Sequence, residues 1–206
     1  MRTRILVLLL ANAAVLSACA TGPRPTLVAD APVNDAGIVA VLDAFELADA
    51  AEFTASYRIT VNYGNIAVNA SVSQKQRERS ITIGDIRYLV ETGNTRTCTL
   101  SNSTCTKGLD DTKVSDVQVT HQFWSRATAQ RLRTDASRNI GPTEQYVAEF
   151  AGIDTNCVSV PVVGGTKVYC VTQDGVLAHY AGPDLLIELT DYSNEVDQTL
   201  FAIGGT

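Results

Sequence analysis

The sequence predicts an α+β domain, a strongly curved antiparallel sheet of about nine or ten strands with helices on its concave side. Three observations predict it. Phe53, Ala55, Tyr57, Ile59, Val61 and Tyr63 alternate with Thr54, Ser56, Arg58, Thr60 and Asn62, the period of a strand with one buried face. Glycine-bearing pairs at 64–65, 84–85, 164–165 and 174–175 punctuate similar runs, so neighbours in sequence should pair in space. Two stretches of helical spacing, within 37–51 and 108–137, stand before and inside the strand series. They do not alternate with single strands, which argues against βαβ order.

The chain opens on Arg2 and Arg4, then an apolar run from Ile5 to Leu16 broken at Asn12. This is an export signal, too short for a comfortable membrane span. Leu16-Ser17-Ala18-Cys19 follows and matches the bacterial lipobox, in which the cysteine thiol takes a diacylglycerol. The expected organisation is a signal peptide over 1–18, a lipidated Cys19 with a flexible tether over 19–34, and one domain over 35–206. Two or more acyl chains anchor a protein stably where one does so only marginally. The expected location is therefore the cell envelope, on the outer side of the cytoplasmic membrane or on the outer membrane. Ala20 after the cysteine resembles the pattern sent to the outer membrane.

Pro23, Pro25 and Pro32 mark the tether as extended and mobile. Asp35 can cap a helix over about 37–51. Ile38, Val41, Leu42 and Phe45 make its apolar stripe, with Asp43, Glu46 and Asp49 mostly turned away. Strands follow at 53–63, 66–73, 80–83, 86–91 and 96–100, the first two joined at Gly64-Asn65 by a two-residue hairpin. The second helical stretch puts Val119, Phe123, Trp124, Ala127 and Leu132 on one side and leaves Arg126, Arg131 and Arg133 polar. Strands resume at 146–151, 157–163, 167–173, 176–180 and 185–191.

Without residues 1–18, 188 residues remain, and 14 basic face 22 acidic side chains, a net charge of −8. That suits one domain with a sizeable core and is a poor match for nucleic acid. Cys98, Cys105, Cys157 and Cys170 make an even count in an exported chain, which reads as two disulfides. Three pairings are open; turns between the partners favour Cys98–Cys105 and Cys157–Cys170. Their spacings fit no usual zinc knuckle and no histidine lies near them in sequence. Asp110-Asp111 lacks the neighbouring ligands of a calcium loop. No metal and no cofactor is expected.

Nor is catalysis. His121 and His179 lie far apart in sequence, and no G-x-S-x-G elbow presents a serine. The glycine pairs lead into no helix with a lysine, so none reads as a phosphate loop.

The order of parts carries a resemblance. A lipobox, a tether and an amphipathic helix precede the strand Phe53-Thr-Ala-Ser-Tyr-Arg-Ile-Thr-Val. The meander Tyr169-Cys-Val-Thr-Gln-Asp-Gly-Val-Leu-Ala-His-Tyr and the segment Leu186-Ile-Glu-Leu-Thr-Asp-Tyr-Ser come late. This layout, over most of 36–203, resembles the half-barrel lipoproteins related to the Lol-pathway lipoprotein carriers and to LppX/LprG-type lipoproteins. The resemblance implies a half-barrel around a cavity for acyl chains, with no catalytic residues. Tyr57, Ile59, Val61, Val68, Val72, Phe123 and Trp124 would line that cavity, or form a dry packed core. Enclosing a sixteen-carbon chain is worth roughly 13 kcal/mol at about 0.8 kcal/mol per methylene. The expected partners are thus the membrane, through Cys19, and a lipid ligand carried or presented across the envelope. The alternative is an envelope sensory or adaptor protein, with the curved sheet as a surface for a protein partner.

Overall fold

The computed structural model describes residues 32–202; Cys19, the expected signal peptide and most of the expected tether lie outside them. Helix α1 (Ala36–Leu47) begins where the sequence places it. One Asp35 carboxylate oxygen accepts the Ile38 N–H at 3.0 Å, and the other accepts the Thr143 hydroxyl at 2.5 Å. Ile38, Val41, Leu42 and Phe45 are buried, and the helix packs on strands β8 (Ile153–Val162) and β9 (Gly165–Val171). It ends four residues before 51. The Gln74 amide takes the Ala48 and Ala51 carbonyls at 2.5 and 2.8 Å, acceptors that a longer helix would have used internally.

The strand series is β1 (Phe53–Val61), β2 (Ile66–Lys75), β3 (Glu78–Ile83), β4 (Ile86–Glu91), β5 (Asn94–Thr99) and β6 (Thr104–Lys107). After the helical insertion come β7 (Glu144–Phe150), β8, β9, β10 (Leu177–Ala181) and β11 (Leu185–Ser193). All are antiparallel, in one open sheet of order β6-β5-β4-β3-β2-β1-β11-β10-β9-β8-β7. Each meander follows sequence order, and β1 joins the two by pairing with β11. The side that carries the helices is the inner face. It presents Ala55, Tyr57, Ile59 and Val61 of β1 and, in register, Val72 and Ala70 of β2.

Eleven strands form where nine or ten were expected. The extra one, β6, reads Thr-Cys-Thr-Lys and has no apolar alternation to reveal it. It forms because Cys98 and Cys105 sit directly opposite one another and are bonded. The first hairpin is also longer than two residues: Val61 pairs with Ile66. Asn62, just past the end of β1, donates its backbone N–H to the Asp184 carbonyl (2.9 Å) and its side-chain amide to that of Pro183 (2.8 Å). The stretch 108–137 is not one helix. It holds a 3₁₀ segment (Asp111–Val117), a π turn (Phe123–Ala127) and helix α2 (Thr128–Ser137). Gln118 in the left-handed region (φ 59°) ends the first. Residues 195–202 then cross the opposite, outer face, where Ser80 Oγ donates to the Leu200 carbonyl (2.5 Å) and Arg87 to that of Ala202 (3.2 Å).

Candidate functional site

The inner face divides into a filled part and an open part. In the filled part Trp124 lies on Tyr57 with centroids 4.4 Å apart, and Phe123 meets Tyr180 edge-on at 5.7 Å. The Arg131 guanidinium sits over both Phe123 and Tyr180, at 5.3 and 5.4 Å, and donates to the Tyr180 hydroxyl. Tyr57, Ile59, Val61, Val72, Phe123 and Trp124 are all at most 4% exposed, and Val68 packs half-buried against them. Burial pushes the Tyr57 phenol well above its ordinary pKa. A second buried group ties α2 to the sheet. Asp135 accepts from Lys167 Nζ at 2.7 Å and from the Tyr169 hydroxyl.

The open part lies over β3 and β4. A cleft of about 920 Å³ is bounded by Glu46, Asp49 and Ala50 at the end of α1, by Gln76 and Arg77 in the β2–β3 turn, and by His121, Gln122 and Arg126. Arg79, Ile81, Val90 and Leu109 complete its lining. None of the seven side chains expected to line a cavity borders this cleft. Arg79 is its best-fixed charge. Its Nε donates to Gln74 Oε1 at 2.5 Å and its Nη2 pairs with Asp49 at 2.9 Å. Burial lowers the Arg79 pKa from its usual value; Asp49 opposes that shift and the charge of Arg126 adds to it. Arg77 and Arg126 form no ion pair among the described residues. The cleft thus combines an apolar floor with guanidinium groups that the chain's own carboxylates answer only in part.

His121 borders the cleft in a clamp. Its Nδ1 is 2.9 Å from each Asp111 oxygen, and its backbone N–H donates to the same carboxylate at 3.0 Å. His179 is elsewhere, on the outer face of β10, where its ring stacks on Phe150 at 4.7 Å. Its Nδ1 is buried without a partner, and burial lowers its pKa. The two histidines are not brought together. Among the described residues no group of three His, Cys, Asp or Glu side chains is placed to hold a metal ion, and no helix is long and apolar enough to cross a membrane.

Disulfides link Cys98 to Cys105 and Cys157 to Cys170, each with Cα atoms 4.0 Å apart. They tie β5 to β6 and β8 to β9 at directly opposed positions. Cys157 and Cys170 are fully buried although they point outward. Strand β8 begins before its first partner on β9, so the β7–β8 hairpin reaches across the outer face and lays Phe150 on His179.

No motif marks the cleft in the sequence. Arg77, Arg79, Val90, Leu109 and Arg126 are spread over 50 residues with no motif between them. Only the register of β3 and β4, with Arg79 opposite Val90, collects them.

The chain matches no protein-family profile, and no curated protein is similar to it in sequence. Its fold is similar to that of MucB. Against MucB in the complex of Pseudomonas aeruginosa MucA and MucB the TM-score is 0.54, with 11% identity, covering 82% of this chain and 62% of that one. Against a crystal structure of MucB the TM-score is 0.57, with 11% identity, covering 83% and 64%. The chain therefore spans a little under two thirds of the MucB chains it matches. At this identity the likeness is one of fold, a curved open antiparallel sheet, and function has to be argued from the site.

Proposed function

We propose that this chain is a binding module of the cell envelope, held to a membrane through acylated Cys19, whose inner-face cleft takes a segment of a partner protein. The observation that carries this reading is the division of the inner face. The chain's own aromatic side chains fill one part and leave a half-charged trough over β3 and β4. A peptide segment can set an aliphatic side chain on the half-buried Val90 and Leu109 and a carboxylate near Arg126, using both kinds of lining at once. Two further points support it. The lipobox and tether would present the domain at a membrane surface, and MucB, similar in fold, forms a complex with a second protein, MucA. Kinship with the half-barrel lipoproteins belongs to the same proposal.

The lipid-carrier reading draws on the same fold. It asks for an enclosed apolar space, since the roughly 13 kcal/mol of a sixteen-carbon chain is retained only where water is excluded along its length. A trough lined by three arginines, Glu46 and Asp49 excludes it less well. One experiment separates the two. A photo-crosslinking residue replaces Val90 in the full-length chain in its own envelope, and the purified protein is also extracted with organic solvent for mass spectrometry. A single protein adduct at position 90, lost when Arg126→Glu is added, with no stoichiometric lipid, is the expected result. Lipid at about one per protein with no protein adduct overturns the peptide reading and favours the carrier. Cys19→Ala should move the chain from the membrane to the soluble fraction.

A further inference from the structure

The sheet has two edges, and they differ. Strand β6 is four residues long, is bonded to β5 through Cys98–Cys105 and ends on Lys107; short, charged edges resist the addition of another strand. Strand β7 is longer, and its two charges, Glu144 and Glu149, leave the stretch Gln145–Ala148 between them uncharged. It pairs with β8 over seven residues without a register break and contains no proline. Residues 144–147 are exposed on both faces of the sheet, Val147 at 64%. Among the described residues no other strand pairs with its outer side.

The sequence of β7, Glu-Gln-Tyr-Val-Ala-Glu-Phe, has Val147 at its centre. Set a second copy antiparallel about a two-fold axis through Val147, perpendicular to the sheet. Val147 then faces Val147, Tyr146 faces Ala148, Gln145 faces Glu149 and Glu144 faces Phe150. Every carboxylate meets a neutral residue, and each Glu149 meets an amide that can donate to it. Registers centred on Glu144 or Glu149 would instead oppose like charges, which destabilises cross-strand pairs. The axis leaves inner faces inner and outer faces outer, so the two sheets become continuous. We propose that this chain associates with a second copy of itself through β7, antiparallel and centred on Val147. The contact is isologous, so it closes at two copies. Its single strand buries less than a standard interface, so copies confined to one surface by their anchors should pair far more than copies in dilute solution.

The test uses single cysteines in the full chain, in envelope membranes, oxidised briefly and read by mass on non-reducing gels, with the two native disulfides verified by peptide mapping. Val147→Cys should give a disulfide-linked dimer at about ten-fold the yield of Val163→Cys or Tyr63→Cys, exposed positions outside β7. Gln145→Cys and Glu149→Cys should each give little alone and a mixed dimer when co-expressed. Equal yields at 147, 163 and 63 overturn the proposal. So does an adduct at 147 of a mass other than twice the chain, which would make β7 an edge for a different protein's strand.

Discussion

Replacing Gln74 by alanine should loosen the joint between α1 and the sheet. Gln74 is 1% exposed and makes three hydrogen bonds: to the Ala48 carbonyl, to the Ala51 carbonyl, and from Arg79 Nε. A neutral hydrogen bond contributes about 1 kcal/mol net and one to a charged group about 2, so the full loss approaches 4 kcal/mol. The cleft beside Ala50 lets water reach part of what is exposed, which lowers the expected loss to about 3 kcal/mol. In a domain of this size that is a fall in Tm of about 6–12 °C. The assay is urea unfolding of the purified chain followed by circular dichroism, with Arg79→Ala and the double variant beside it. Because Gln74 and Arg79 share a bond, the double variant should cost less than the sum of the singles by about 1–2 kcal/mol. A single-variant loss below about 0.5 kcal/mol, or strict additivity, would refute the reasoning.

Other outcomes follow from the same geometry. Asp135→Ala leaves the Tyr169 hydroxyl and Lys167 without their carboxylate beneath α2 and should cost about 3 kcal/mol or more, measured by the same unfolding; a loss under about 1 kcal/mol would show that water replaces the carboxylate there. The Cys157–Cys170 bridge is fully buried while Cys105 is half-buried at the edge, so graded dithiothreitol followed by alkylation and mass spectrometry should open Cys98–Cys105 first, and simultaneous opening would contradict the burial argument. Burial holds the His179 pKa below its ordinary value, so the unfolded chain binds the proton more readily. That contribution to stability is present above about pH 6.5 and is lost as the pH falls below it. His179→Phe should flatten the fall in urea midpoint between pH 7 and 5, and an unchanged slope would assign it to other groups. Burial, joined by the Asp174 carboxylate to which it donates at 3.1 Å, pushes the Tyr192 phenol up to about 12, so it should stay largely protonated in a spectrophotometric titration through pH 11.

What the sequence determined by itself was local. Period-two alternation marked β1 and β2, Asp35 marked the start of α1, and glycine-bearing turns set each meander in sequence order, because these features act within about ten residues of chain. The turns between the cysteines favoured the pairings that the structure contains for the same reason. Strand β6 escaped, since threonine and lysine at an edge need no apolar alternation. Tertiary structure decided the rest. The β1–β11 pairing joins residues more than 120 positions apart, and nothing in either strand's own pattern names the other. The single helix expected within 108–137 broke into three pieces because its apolar residues are shared between strands on different parts of the inner face. The cleft depends most on the fold, because Arg79, Val90 and Arg126 become neighbours only once register, helix ends and a π turn have been set together.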